Sequence, residues 1–404
     1  MTHDTNIPHG YKATALGIIP QEWEVKKLGE VGKLLSGLTY TPSNIQSDGI
    51  LVLRSSNIQN GVLAFDDNVY VNVSSYTPVK AGDILICVRN GSQNLIGKTA
   101  LITQEAEGCA FGAFMAVFRS PISKYVFYLL GTELYRKYIF RNLGATINSI
   151  NGSDLKKFRF PFPPLAEQRK IAEVLGVWDE AIEKQARLIE KLALRKRALM
   201  QRLLSAKLRL PGFSEPWKTH KLQELFTERN ETNRTDLPLL SITRDRGVIL
   251  QTESEKRDTS NDDKSKYKRI AKGDIGYNTM RMWQGRSALS GLEGIVSPAY
   301  TIVVPNTTDV DGYYMSVLFK QPRLVYDFWT HSQGLVGDTL NCKYRDFGQV
   351  HICCPPLAEQ KAITEVLTTA DREIELAKEK LERLRRQKRG LMQQLLTGKK
   401  RIKY

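Results

Sequence analysis

The sequence predicts an α+β chain. Two similar mixed α/β domains are joined by a pair of long antiparallel coiled-coil helices, and a pseudo-two-fold internal repeat relates the halves. Three observations predict this. A segment that opens PPLAEQRKIAEVL at Pro163 and closes KRALMQRLLSAKLR at Arg209 returns from Pro355 to Arg401 as PPLAEQKAITEVL…KRGLMQQLLTGKKR. The offset, Pro163 to Pro355, is 192 residues throughout, and about half the positions are identical. A repeat of such long period means two copies of one structural unit. Within each copy the apolar residues recur at alternating steps of four and three, the spacing of a coiled-coil seam. Ahead of each copy lies a longer stretch, and the two stretches echo each other only at scattered landmarks.

The elements follow in order. Residues 1–162 form a first domain, 163–209 a central repeat helix, 210–354 a second domain and 355–404 a C-terminal repeat helix. Within the domains, short β-type runs (Ile50 to Leu53, Ile84 to Val88, Tyr300 to Val304) alternate with turn residues. Helical stretches follow near each domain's end, Tyr125 to Phe140 and Tyr313 to Thr330. That combination suggests an α+β domain with a twisted sheet. The landmarks are Trp23-x4-Leu28-x-Glu30 against Trp217-x4-Leu222-x-Glu224, Ala81-Gly82-Asp83-Ile84 against Lys272-Gly273-Asp274-Ile275, and Gly97-Lys98-Thr99-Ala100-Leu101 against Gly285-Arg286-Ser287-Ala288-Leu289.

The first seam runs Ile171, Leu175, Trp178, Ile182, Gln185, Ile189, Leu192, Lys196, Leu199, Leu203. The second runs Ile363, Leu367, Ala370, Ile374, Ala377, Leu381, Leu384, Lys388, Leu391, Leu395. Proline pairs precede each helix, where a missing N–H does no harm. A small residue, Ala206 or Gly398, stands near each end. Each helix alone leaves one apolar stripe bare, and two matching stripes can cover each other. About 40 residues per helix make a rod of roughly 60 Å. The domain between the helices has termini close together if it is compact, which favours an antiparallel pair. Lys196 and Lys388 occupy equivalent seam positions. They can fix the register or snorkel outward, and snorkelling is the expectation.

Composition narrows the partners. The chain of 404 residues carries 59 Lys and Arg against 43 Asp and Glu, a net charge of +16. A basic surface attracts polyanions, nucleic acid first. No apolar run approaches the ~18 residues of a membrane span, and the N-terminal MTHDTNIPHGYK has no signal-peptide core. Five scattered cysteines without a CxxC pair suit a reducing cytoplasm and argue against disulfides or a zinc site.

A shared frame holding unlike loops suggests recognition, because loops on a rigid scaffold carry binding. In the first domain the candidate DNA contacts are Thr39, Tyr40, Arg54, Ser55, Ser56, Asn57, Arg89, Asn90, Ser92, Gln93, Asn94 and Lys98. In the second they are Ser241, Thr243, Arg244, Arg246, Tyr277, Asn278, Arg281, Trp283, Gln284 and Arg286. Arg pairs bidentately with guanine and Asn or Gln with adenine, while Lys, Ser and backbone N–H groups hold phosphates.

Catalytic signatures fail. Gly91–Thr99 reads GSQNLIGKT, but the glycine a phosphate loop needs four residues before Gly-Lys-Thr is Ser92. Lys98 is better explained as a phosphate contact. The five histidines show no ligand spacing, so no metal is expected. There is no G-x-S-x-G elbow, no methyl-transfer motif and no nuclease-like carboxylate cluster.

PPLAEQ followed by a long amphipathic helix ending LMQ-x-LL, present twice, resembles the specificity subunits of type I restriction-modification systems. Arg54-Ser55-Ser56-Asn57-Ile58, Cys87-Val88-Arg89-Asn90-Gly91-Ser92, Tyr277-Asn278 and Gly294-Ile295-Val296-Ser297-Pro298-Ala299-Tyr300 are similar to that family's target-recognition domains. The resemblance covers essentially the whole chain. It implies a non-catalytic subunit in which each recognition domain reads one half of a bipartite double-stranded DNA target and the helices set the gap. It also implies that two modification (methyltransferase) subunits and restriction (translocase and nuclease) subunits join it. S-adenosylmethionine, ATP and Mg2+ would then belong to those partners. The second repeat departs from the first at Ala370, where the first has Trp178. Because the two domains differ, the expected target is asymmetric and split. Three other readings remain open on the residues alone: a module for structured RNA, a coiled-coil scaffold for two proteins, and an ATPase built on Lys98.

Overall fold

A computed structural model describes residues 7–143, 148–243, 246–254, 260–334 and 339–402. The chain forms two compact units, Met1–Ala186 with Glu379–Tyr404, and Arg187–Lys378.

The first unit is built on an antiparallel four-stranded sheet in the order Thr99–Leu101, Ile84–Cys87, Met115–Arg119, Lys33–Ser36. Ile84–Cys87 is buried along its whole length, which is why it reads as an unbroken apolar run. The helices Ser123–Leu129 and Glu133–Asn142 pack on this sheet through Tyr125, Val126, Tyr135 and Ile139. A smaller sheet pairs Ile50–Leu53 in parallel with Ala110–Phe111. The strands Glu24–Lys27 and Arg159–Phe162 bring the two ends of the domain together.

The second unit repeats the frame. Its sheet runs Phe226–Glu228, Tyr300–Pro305, Ile275–Asn278, Ser287–Leu289, again antiparallel. Helices Gly312–Leu318 and Pro322–His331 cover it, and Lys218–Lys221 pairs with His351–Cys354. Ile84 faces Phe118 as Ile275 faces Val303, so the two sheets align residue by residue.

The landmarks of sequence now have physical roles. Gly82 and Gly273 adopt φ of +85° and +93°, a turn only glycine takes at ease, and each delivers a buried aspartate. Asp83 accepts from Arg119 Nη2 at 2.7 Å and Nε at 2.9 Å. Asp274 accepts from Arg229 Nε at 2.6 Å. In PPLAEQ the glutamine folds back to its proline: Gln168 Nε2 donates to the Pro163 carbonyl at 2.7 Å, and Gln360 Nε2 to that of Pro355 at 2.8 Å. The glutamate is fully buried and held by an arginine. Arg401 donates to Glu167 through Nε at 2.7 Å and Nη2 at 2.9 Å, and Arg209 donates to Glu359 at 2.6 and 2.8 Å.

The long helices span Leu165–Leu203 and Leu357–Leu395. Within the first unit Glu167 meets Arg401 and Asp179 meets Lys388, so the segments run antiparallel. Within the second, Arg209 meets Glu359 and Lys196 meets Asp371, antiparallel again. The seam positions are buried or half-buried on both helices, and their neighbours are mostly exposed. Snorkelling, the expectation for the seam lysines, is corrected. Lys196 Nζ donates to Asp371 Oδ1 at 2.5 Å, and Lys388 pairs with Asp179 while its ammonium lies 5.1 Å from the Tyr128 ring. Tyrosines hold the aspartates from the other side, Tyr128 Oη to Asp179 at 2.8 Å and Tyr313 Oη to Asp371 at 2.7 Å. A charge with one geometric partner fixes register, because a slip would strand it. Ala206 and Gly398 both turn left-handed just past the helix ends, at φ +56° and +72°.

Candidate nucleic-acid interface

In the first domain two of the predicted loops meet. Arg54 to Asn57 leaves the strand Ile50–Leu53 through a short 3-10 turn, and Arg89 to Asn94 leaves Ile84–Cys87. Asn90 Nδ2 donates to Ser55 Oγ at 2.9 Å and ties them together. Asn90 also closes its own turn, accepting from Ser92 N at 3.0 Å. The segment after helix Glu133–Asn142 returns to the same place, with Asn148 Nδ2 donating to the Gly91 carbonyl at 2.9 Å. Ser92, Gln93, Asn94 and Lys98 stand exposed, and so does Thr39. Ser56 is half-buried, and Tyr40 packs against the small cluster of Val52, Val71 and Ala110.

The arginines divide by what they hold. Arg54 is engaged inside the protein, donating to the Asp67 carbonyl at 3.1 Å and lying 2.9 Å from its carboxylate. Arg89 has no ion pair or hydrogen bond from its guanidinium among the described residues. Its guanidinium carbon sits 5.6 Å from the centre of the Phe114 ring. One candidate is corrected here. Asn57 is fully buried; its Oδ1 accepts from Arg54 N at 2.9 Å and its Nδ2 donates to the Ala64 carbonyl at 2.9 Å. It shapes the loop instead of meeting a ligand.

In the second domain the candidates lie on two segments. Ser241 and Thr243 belong to the hairpin of Leu240–Ile242 with Val248–Leu250, where Thr243 Oγ1 donates to the Gly247 carbonyl at 2.9 Å. Arg246 spends its guanidinium on the Glu253 carbonyl at 3.0 Å. Arg244 lies outside the described residues. Arg281, Trp283, Gln284 and Arg286 surround the 3-10 turn Met282–Gln284 and follow Asn278, which accepts from Met280 N at 3.0 Å. The Trp283 indole N–H donates to the Met280 carbonyl at 3.0 Å. Arg281 and Arg286 form no ion pair among the described residues.

Tyr277 is the second correction. It is 0% exposed, and its ring stacks on Phe347 at 5.2 Å between centroids. Burial pushes its hydroxyl well above the usual tyrosine range. The strand alternation explains the misplacement. Ile275 and Tyr277 share the face under the helices, as Ile84 and Ile86 do in the first domain, so only Asn278 emerges at the strand end.

Sequence reasoning missed an open groove of about 550 Å³ in the second domain. Lys268, Lys343 and Arg345 line it with Thr279, Met280, Ala299 and Asn341. The Lys343-Tyr344-Arg345 triplet was a visible signal for it. Phe114 was missed as well, since a search for polar loop residues passes over an aromatic.

Comparisons with known proteins bear on the family and the fold. Residues 20–193 match the family described as the type I restriction modification DNA specificity domain. The chain is 27% identical to a putative type I restriction enzyme MjaX specificity subunit of Methanocaldococcus jannaschii, over 97% of each chain. It is 33% identical to the EcoKI specificity subunit of Escherichia coli K12 over 39% of this chain and 36% of that one. Among solved structures, a chain from a study of assembly and conformational transition of the type I R-M system aligns at TM-score 0.57 and 18% identity, covering 94% and 99%. The type I S subunit of M. genitalium aligns at 0.55 and 15% identity, covering 98% of each.

Proposed function

We infer how this chain works from the premise that it belongs to the specificity subunits of type I restriction-modification systems. It is the DNA-reading subunit of such a system. Each recognition domain reads one half of an asymmetric, bipartite duplex target, and the antiparallel helices set the distance between the halves. Residues 1–162 and 210–354 are the reading domains; 163–209 and 355–404 are the spacer and the docking surface for two modification subunits, with restriction subunits joining them. Bond making and breaking fall to those partners, which would bring S-adenosylmethionine, ATP and Mg2+. The expected compartment is the cytoplasm, and no helix among the described residues is long and apolar enough to cross a membrane.

One observation carries this reading. The same frame occurs twice, down to the buried aspartates and the helix latches, while the emergent loops share almost nothing. Two scaffolds with different tips read two different half-sites. Identical tips would read a palindrome.

Mapping methylated bases in cells that express the complete system should return two unlike blocks separated by a fixed gap of unspecified bases. A contiguous or palindromic motif would overturn the reading. Inserting one heptad at equivalent points of both helices should lengthen the gap and leave both blocks intact. Binding of the assembled complex to duplex DNA should fall steeply with salt, since basic contacts to phosphates release counterions.

A further inference from the structure

The aligned sheets show one place where the two reading surfaces differ. In the first domain Val88 N and Arg89 N donate to the Phe114 carbonyl, at 3.0 and 3.1 Å. In the second, Thr279 N donates to the Ala299 carbonyl at 3.0 Å. Phe114 therefore corresponds to Ala299, and Arg89 to Met280. Where the second domain has a groove lined by Met280 and Ala299, the first raises an aromatic ring with a guanidinium above it.

Three features of that pair bear on recognition. Phe114 is 55% exposed although it is held at its backbone by two hydrogen bonds and by the tight turn in which Met115 N donates to the Gly112 carbonyl at 2.8 Å. A single exposed aromatic is ordinary on a protein surface; what sets Phe114 apart is the cation placed over its ring. Arg89 lies over the ring at 5.6 Å, so its guanidinium is oriented without any of its N–H donors being consumed among the described residues. Arg89 immediately precedes Asn90, whose bond to Ser55 joins the two loops.

We propose that Arg89 and Phe114 act as one reading unit for a two-base step in the first half-site: the guanidinium donates to O6 and N7 of a guanine, and the ring packs on the C5 methyl of the thymine beside it. Fork-shaped donors fit the major-groove edge of guanine, and an apolar surface fits the thymine methyl. Ring and cation stand in contact, so the two bases are read as neighbours. This rests on the duplex-reading function given above.

The test uses the chain assembled with its modification subunits and the target motif obtained from methylation mapping. Duplexes carry deoxyuridine in place of each thymine of the first half-site, one position at a time, which removes only the methyl. For the wild type, one position should lose about fourfold in affinity, the effect of one buried methyl-sized group, and its neighbour should be a G·C pair. Phe114→Ala should bind the thymine and uracil duplexes equally. Arg89→Ala should lose discrimination at the neighbouring G·C pair. Phe114→Leu, which keeps an apolar side chain, should retain part of the methyl dependence. The proposal is overturned if no uracil substitution matters, if the sensitive thymine has no G·C neighbour, or if Phe114→Ala weakens every duplex equally, as a wedge in the minor groove would. Failure of the complex to bind any duplex would instead remove the underlying DNA-reading function.

Discussion

The two domains solve one electrostatic problem differently. Each buries an aspartate at the start of its central strand, Asp83 and Asp274, and each must supply a cation. The first takes it from Arg119, at the end of strand Met115–Arg119. The second takes it from Arg229, just past strand Phe226–Glu228, where Arg229 N donates to the Ile302 carbonyl at 2.9 Å. By strand register Arg119 corresponds to Val304 and Arg229 to Leu35. The arginine has moved to the neighbouring strand and an aliphatic residue has taken its former place. The frame tolerates such a change because it needs a paired charge at a point in space, whichever strand delivers it. The candidate contact loops obey no such constraint and differ at most positions, although Lys98 and Arg286 remain equivalent and basic.

The sharpest test exchanges the two solutions. Arg119→Val should destabilise the first domain by about 3 kcal/mol, the usual consequence of stranding a buried carboxylate. Adding Leu35→Arg should recover much of that loss by importing the second domain's arrangement. Denaturant unfolding of the three proteins measures both, and no recovery would break the correspondence. Next in size, Arg281→Ala should relax base preference in one half-site only, by about 1–3 kcal/mol in binding selections. Equal weakening on all sequences would assign Arg281 to phosphate. A smaller difference separates the seam lysines. Lys388→Met should cost about 1 kcal/mol, slightly more than Lys196→Met, because Lys388 also loses its contact with the Tyr128 ring. Thermal melts of the two variants would show it. Smallest in consequence is thiol labelling at neutral pH. Burial pushes Cys87 up to about 11 and both Cys342 and Cys354 up to about 12. Exposed Cys353 should therefore be alkylated first, and its neighbour Cys354 only on unfolding.

What could be read from residues followed from periodicity and repetition. The 4-3 spacing exposed the seam, and the fixed offset exposed two copies of it. The PPLAEQ motif could be recognised but not explained, since the ion pairs of Glu167 and Glu359 join residues far apart in sequence. The seam lysines were misjudged for the same reason: Asp371 and Asp179 look like ordinary solvated positions until the helices are aligned. Loop candidates were only partly legible. Composition marks Arg54 and Arg89 alike, yet one is tied to Asp67 and the other forms no ion pair among the described residues and lies over Phe114. Tyr277 fell on the inward parity of its strand, and Phe114 carried no polar signal at all.

The latch of the C-terminal segment has a consequence for synthesis. The second unit is a single continuous stretch, Arg187–Lys378, whereas the first needs both Met1–Ala186 and Glu379–Tyr404. Leu395, Leu396 and Ile402 fill the apolar floor of the first unit, and Tyr11 Oη donates to the Gly398 carbonyl at 3.0 Å. On the ribosome, the domain made first is therefore the one finished last. A stop codon shortly before Leu395 should leave the later-made domain protease-resistant and the earlier-made one open to cleavage, the reverse of what their order in the gene would suggest.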